Sequence, residues 1–166
     1  MPSLEVRVST NKQVYTVGEP VEITVQACNV GSEPYTVEVF DGCPLHRLNI
    51  LDEHGGQVAN LHSSCGWCPP GGVPIQLRWE PGECTTGDTV IWNQRPDVGD
   101  GCDQSGPQVS PGFFIADATG WIWDPILTHD GVTFSIIQNE VPVSFQALML
   151  LVLSVAATGC WILRRA

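Results

Sequence analysis

From Val141 to Leu163 the chain reads VPVSFQALMLLVLSVAATGCWIL, twenty-three residues without a charge, and Arg164 and Arg165 follow at once. At about 1.5 Å per residue, roughly twenty residues of helix cross the hydrocarbon core of a bilayer. An amphipathic helix packed on a soluble core would show a polar stripe, and this segment shows none. Ser144, Ser154 and Thr158 are small enough to be tolerated in lipid, and Trp161 stands where an interfacial anchor is expected. The sequence thus predicts a transmembrane helix with a short tail over residues 141–166, preceded by one domain over residues 1–140. Arg164 and Arg165 should stay cytoplasmic, which places that domain outside the cytoplasm. Residues 1–10, MPSLEVRVST, contain no apolar run of a secretory signal. An exported domain normally carries one. A start trimmed upstream, or a cytoplasmic domain, would reconcile the two.

Ahead of the tail, the pattern is that of β-structure. Leu4, Val6 and Val8 alternate with Glu5, Arg7 and Ser9, the period-two signature of a half-buried strand. Short strands are also expected over Val14–Val17, Val21–Cys28, Tyr35–Val39, Leu45–Leu51, Ile75–Trp79 and Thr85–Trp92. The last two are Phe113–Thr119 and Val132–Ile137, joined across Trp121 to Asp130. Turn residues punctuate them: Asn11-Lys12-Gln13, Gly18-Glu19-Pro20, Asn29-Val30-Gly31-Ser32, Asp52 to Gly56 and Pro81-Gly82-Glu83. Residues 62–74, HSSCGWCPPGGVP, and 95–111 read as irregular loops. Seven to nine short strands separated by turns every ~8–12 residues predict a mainly β, antiparallel, immunoglobulin-like sandwich. Trp79 and Trp92 are expected to pack between its sheets.

Charge excludes one class of partner. Eighteen acidic residues precede Val141, against five basic ones (Arg7, Lys12, Arg47, Arg78 and Arg95), an excess of thirteen negative charges. Such a surface repels phosphate backbones, so no nucleic-acid partner is expected.

Seven cysteines are present, of which Cys160 lies in the predicted membrane helix. The other six, Cys28, Cys43, Cys65, Cys68, Cys84 and Cys102, form an even set in a loop-rich domain predicted to be external. That reads as three disulfides, with all 15 pairings open. The rival reading is metal. His62, Cys65 and Cys68 have a spacing suited to zinc, with Cys43, His46 or His54 to complete a tetrahedron. Asp97, Asp100 and Asp103 in DVGDGCD carry oxygen ligands suited to calcium, though not at EF-hand spacing. Cys65-Gly66-Trp67-Cys68 has the letters of a redox pair but no strand-to-helix context to lower a thiol pKa.

No Gly-x-Ser-x-Gly elbow and no phosphate-binding glycine loop occurs, and His46, His54, His62 and His129 are isolated in the sequence. Neither a catalytic residue nor a cofactor is expected. Trp67 in one long loop, with Trp121 and Trp123 in Trp-Ile-Trp-Asp, are candidate binding residues, because aromatics are enriched at recognition hot spots. The alternative for Trp121 and Trp123 is that they cap one end of the core.

Two resemblances add to this reading. The segment NKQVYTVGEPVEITVQACNVGSEPYTVEV, with Tyr15, Gly18-Glu19-Pro20 and Asn29, is similar to the opening of a BsuPI-type domain, an immunoglobulin-like module named for intracellular proteinase inhibitors. Leu77 to Glu83 resembles that family's Pro-Gly-Glu turn, Val90 to Gln94 its Trp-containing strand, and Val109 to Phe114 its entry to the last hairpin. The likeness runs over residues 4–138 and implies a sandwich fold and proteinase inhibition. The Cys-bearing loops and the membrane tail depart from it. The tail, with Val141-Pro142-Val143-Ser144, an apolar helix and a terminal Arg pair, resembles PEP-CTERM and IPTL-CTERM sorting tags. The resulting expectation is a membrane-anchored binding module with a protein partner. A proteinase inhibitor and a structural envelope component are the alternatives.

Overall fold

The computed structural model describes residues 3–40, 47–62, 73–85, 88–97, 104–119 and 128–139. Among these there are eleven strands and no helix: β1 (Leu4–Thr10), β2 (Val14–Thr16), β3 (Val21–Asn29), β4 (Tyr35–Phe40), β5 (Arg47–Asp52), β6 (Gln57–His62), β7 (Pro74–Trp79), β8 (Asp88–Trp92), β9 (Gly112–Thr119), β10 (Thr128–Asp130) and β11 (Val132–Ile137). They form a four-stranded sheet in the order β10-β1-β3-β8, a five-stranded sheet in the order β2-β11-β9-β5-β6, and a β4-β7 ribbon.

The alternation read from the sequence is what closes the core. In β3, Val21, Ile23 and Val25 are buried while Glu22 and Thr24 face outward. In the other sheet Leu48, Ile50, Leu61, Phe114, Ala116, Phe134 and Ile136 point inward. Trp92 of β8 crosses the interlayer space and meets Phe114 and Phe134 edge-on, at ring centroid distances of 5.5 and 6.1 Å. Its Nε1–H donates to Arg95 O at 2.8 Å, so the polar end of a fully buried side chain is satisfied. Trp79 is buried beside Tyr35 where the ribbon joins the core. Both tryptophans therefore fill the core, as expected.

Two features differ from the sequence expectation. The sheets are mixed, not purely antiparallel: β10 runs parallel to β1, with Val6 opposite His129, and β2 runs parallel to β11, with Tyr15 opposite Ile136. The strand count also exceeds seven to nine, because β6 and β10 were not expected. Strand β6 buries Ala59 and Leu61 fully and Val58 in part, a weak alternation. Strand β10 is Thr-His-Asp, with no apolar residue; long-range pairing to β1 makes it a strand. The segment read as one strand from Thr85 to Trp92 is shorter, with β8 starting at Asp88 and Cys84 forming an isolated bridge to Cys28.

The N-terminal stretch serves both layers. β1 pairs with β3 in one sheet, the chain turns at Asn11 to Gln13, and β2 then joins β11 in the other. Tyr15 stands at that crossing, buried, with its hydroxyl hydrogen-bonded to Asn11 Oδ1 and accepting from Lys12 N at 3.1 Å. Gly18 and Gly82 occupy φ of +86° and +83° in turns closed by Glu19 N→Thr16 O and Glu83 N→Glu80 O, backbone that an L side chain resists.

Candidate binding surface

Register places the long connections at one end of the five-stranded sheet. Arg47, the first residue of β5, lies opposite His62, the last of β6, and opposite Thr119, the last of β9. The chain enters β5 from residues 41–46, leaves β6 into 63–72 and leaves β9 into 120–127. These connections carry Cys43, Cys65, Trp67, Cys68, Trp121 and Trp123. β11 runs antiparallel to β9 and ends at Ile137, opposite Thr16 of β2. One connection thus ends and two begin at neighbouring positions, at the end of the sheet opposite to Ile137.

That same end of the four-stranded sheet is tied by a disulfide between Cys28 and Cys84, 56 residues apart, with Cα atoms 4.0 Å from each other. The two cysteines face each other across antiparallel strands. Asn29 N→Glu83 O and Thr85 N→Ala27 O, both 2.8 Å, flank them, so they occupy a non-hydrogen-bonded pair, where opposing side chains come closest. Cys28 is buried and Cys84 is exposed. One of the expected bonds is therefore present. Cys43, Cys65, Cys68 and Cys102 lie outside the described residues.

Beside the disulfide, Asn29 is fully buried and satisfied. Its Nδ2 donates to Glu33 O at 2.9 Å and Trp79 O at 3.0 Å, and its Oδ1 accepts from Gly31 N at 3.0 Å. It fastens the turn after β3 to the end of β7. At the opposite end Gln94 plays the same part. It is fully buried in the left-handed region, φ +57°. Its Oε1 accepts from Gly18 N at 2.8 Å, and its Nε2 donates to Thr16 O at 2.8 Å and Glu19 O at 2.6 Å. Sequence reasoning did not single out Gln94, since nothing local marks a glutamine for burial.

The free edge of β8 is covered by a side chain. Gln104 Oε1 accepts from Asn93 N at 2.6 Å and its Nε2 donates to Ile91 O at 3.0 Å, occupying the groups a further strand would pair with.

Electrostatics on the described surface are those of solvated pairs. Lys12 Nζ is bonded to Glu19. The bond and the opposite charge raise the Lys12 pKa above 10.5 and lower that of Glu19 below 4.5. Among the described residues no group of three or more His, Cys, Asp or Glu could hold a metal. Of the candidate metal ligands, Asp97 is half-buried. Cys65, Cys68, Asp100, Asp103 and the His62 side chain lie outside the description, as do Trp67, Trp121, Trp123, Trp161, Arg164 and Arg165. Among the described residues no helix is long and apolar enough to cross a membrane.

No protein-family model matches the chain, and no curated protein does. Solved structures match it over most of its length at low identity. A β-glucosidase from Erythrobacter marinus is 13% identical over 82% of this chain and 16% of its own, with a TM-score of 0.45. A β-glucosidase from Listeria innocua in complex with gluconolactone is 12% identical over 81% of this chain and 16% of its own, with a TM-score of 0.44. A CARDB domain from Pyrococcus furiosus in complex with di-metal ions is 15% identical over 82% of this chain and 89% of its own, with a TM-score of 0.41. The chain spans 16% of the length of these two glucosidases. At such identities and TM-scores the likenesses carry nothing about activity.

Proposed function

We propose that the chain is an immunoglobulin-like sandwich domain, held on a membrane by residues 141–163, that binds a protein partner outside the cytoplasm without catalysing a reaction. The observation that carries this reading is the convergence of three connections at Arg47, His62 and Thr119, at the end away from the exit of β11. Loops on a rigid sheet scaffold are the usual recognition surface, and these connections hold Trp67, Trp121 and Trp123. A domain standing on its β11 end would present them outward. The Cys28–Cys84 bond supports an oxidising compartment. The division of β1 and β2 between two sheets supports the immunoglobulin-like reading, in keeping with the BsuPI-type resemblance.

The test is site-specific photo-crosslinking of the full chain in intact cells. A benzophenone side chain at Trp67 or Trp121 is expected to yield a discrete adduct, and one at Thr24, on the outer face of the four-stranded sheet, none. Equal labelling at all three positions would overturn the reading. Stoichiometric inhibition of a proteinase by the full chain would replace it with the inhibitor reading.

A further inference from the structure

The two outer faces of the sandwich differ in chemistry. On the four-stranded sheet, the register aligns Arg7 with Gln26, Ser9 with Thr24, Thr24 with Thr89 and Glu22 with Ile91. This face is polar and charged, with Ile91 as its exposed apolar member.

The five-stranded sheet differs in the half where β11 ends. Val14, Ser135 and Phe113 lie in one row across β2, β11 and β9. Thr133, Ile115 and Leu51 form the next row across β11, β9 and β5, and Thr16 with Ile137 forms a third. None of these eight positions is charged, in a domain with thirteen excess negative charges. Phe113 is 66% exposed, Val14 51% and Ile137 47%. An exposed apolar stripe on an acidic, soluble-looking surface marks a contact site.

Chain length says what covers it. Only Gln138, Asn139 and Glu140 separate Ile137 from the uncharged run that starts at Val141. Four Cα steps of at most about 3.6 Å put Ile137 within roughly 14 Å of Val141. The polar headgroup layer is itself about 5–8 Å deep on each side of the hydrocarbon. Asn139 Nδ2 also bonds to Val17 O at 3.4 Å, so part of this connection is held to the domain. With Val141 at the edge of the hydrocarbon, the β11 end of the sandwich stands at most about 6–9 Å beyond the headgroup layer.

We propose that Phe113, Ile137 and Val14 form a lipid-facing stripe that seats the domain on the surface of the membrane entered by its own tail. The occupant is the interface of a zwitterionic, phosphatidylcholine-like surface, because the acidic domain repels anionic headgroups. The aromatic ring of Phe113 and the two branched side chains lie among headgroups and upper acyl chains. This fixes the tilt of the sandwich and the direction in which its opposite end points. The proposal rests on the membrane-anchor reading.

The experiment uses the full chain reconstituted in phosphatidylcholine vesicles doped with a diazirine phosphatidylcholine. After photolysis, adducts are mapped by mass spectrometry. The expected result is adducts on β9 at Phe113 and on β11 at Ile137, together with adducts on residues 141–163, and none at Thr24 or Thr89. In the double variant Phe113→Ser/Val14→Ser, adducts on β11 are expected to fall about tenfold or more while tail adducts persist, as the transfer free energy of one to two buried apolar side chains requires. These positions are exposed, and a cooperative thermal unfolding transition like that of the wild type, followed by tryptophan fluorescence, reports that the variant is folded. Adducts on the tail alone would overturn the stripe and leave the anchor standing. Adducts on neither would overturn the anchor, and the stripe with it. Cross-links between two copies through a benzophenone at Phe113 would overturn the lipid assignment in favour of self-association.

Discussion

The side-chain carbonyl of Gln94 accepts the backbone N–H of Gly18 at 2.8 Å, closing a contact between residues 76 apart. The same side chain donates to Thr16 O and Glu19 O. One glutamine thus replaces a missing length of sheet where β2 ends and β8 has already finished. Gln94→Ala takes the partner from Gly18 N and Glu19 O at a part-buried site, while Thr16 O keeps Glu19 N, and should cost about 2–4 kcal/mol, since each buried polar group left unsatisfied costs ~1–3 kcal/mol. Gln94→Gly relaxes the positive φ and should fall short of that loss by a few tenths to about 1 kcal/mol. Chemical denaturation of both variants followed by tryptophan fluorescence checks the order. Equal stability of the wild type and Gln94→Ala would sink the idea.

Trp92 separates packing from hydrogen bonding. Trp92→Phe keeps an aromatic ring near Phe114 and Phe134 but loses the bond to Arg95 O, and is expected to cost about 1–3 kcal/mol. Trp92→Ala opens a cavity between the sheets and should cost about 3–5 kcal/mol. Thermal unfolding should rank the three proteins in that order.

The Cys28–Cys84 bond closes a long loop, with a sequence separation of 56. The chain-entropy model gives about 4 kcal/mol for such a loop, and measured values cluster at ~2–4 kcal/mol. Cys28→Ala/Cys84→Ala should lose that much. Intact mass after alkylation under denaturing conditions should show these two thiols blocked in the wild type. Labelling of both without prior reduction would count against the bond.

The pair Lys12–Glu19 makes a pH prediction. The folded pKa of Glu19 is depressed, so its contribution is present above the unfolded carboxylate value near 4.5 and is lost as pH falls through the lower folded value. Lys12 is raised, so its contribution is present below 10.5 and is lost as pH climbs through its folded value. Glu19→Gln should therefore flatten the stability profile at both extremes and change it little at neutral pH. Both groups are solvent-screened, so salt should erase the difference. A Glu19→Gln profile that parallels the wild type at both ends in low salt would show that the pair does not act.

Gln104→Ala should leave stability within about 1 kcal/mol, because its two bonds are solvent-exposed, yet uncover the edge of β8. Faster aggregation at equal thermal stability, read by light scattering, is the expected signature.

The strands with strong alternation were legible. Val21, Ile23 and Val25 against Glu22 and Thr24 announce β3, and Leu4 and Val6 announce β1. Their core residues were readable for the same reason: a period of two assigns faces without knowledge of the partner strand. Strand β10 was not legible, because Thr128, His129 and Asp130 have no local reason to extend and pair through Val6. Gln94 was hidden in the same way, since topology alone brings Gly18 to it. For the cysteines, composition announced bonds but left every pairing open; the antiparallel bridge joined Cys28 to Cys84. Phe113 and Ile137 were read as strand residues, and only the register of three strands sets them in one exposed stripe with Val14.

The parallel partnership of β2 with β11 has a mechanical side. Ser135 N→Gln13 O at 2.9 Å and Val17 N→Ile137 O at 3.0 Å join the early chain to the strand that leads toward residue 141. If the tail is fixed and the N-terminal end is pulled, the two parallel strands are drawn past one another, and their hydrogen bonds are loaded together in shear instead of parting one by one like a zip. Tension along the chain would meet β1 first, parallel to β10, and then Val14–Thr16, so that two parallel pairs loaded in shear stand in its path.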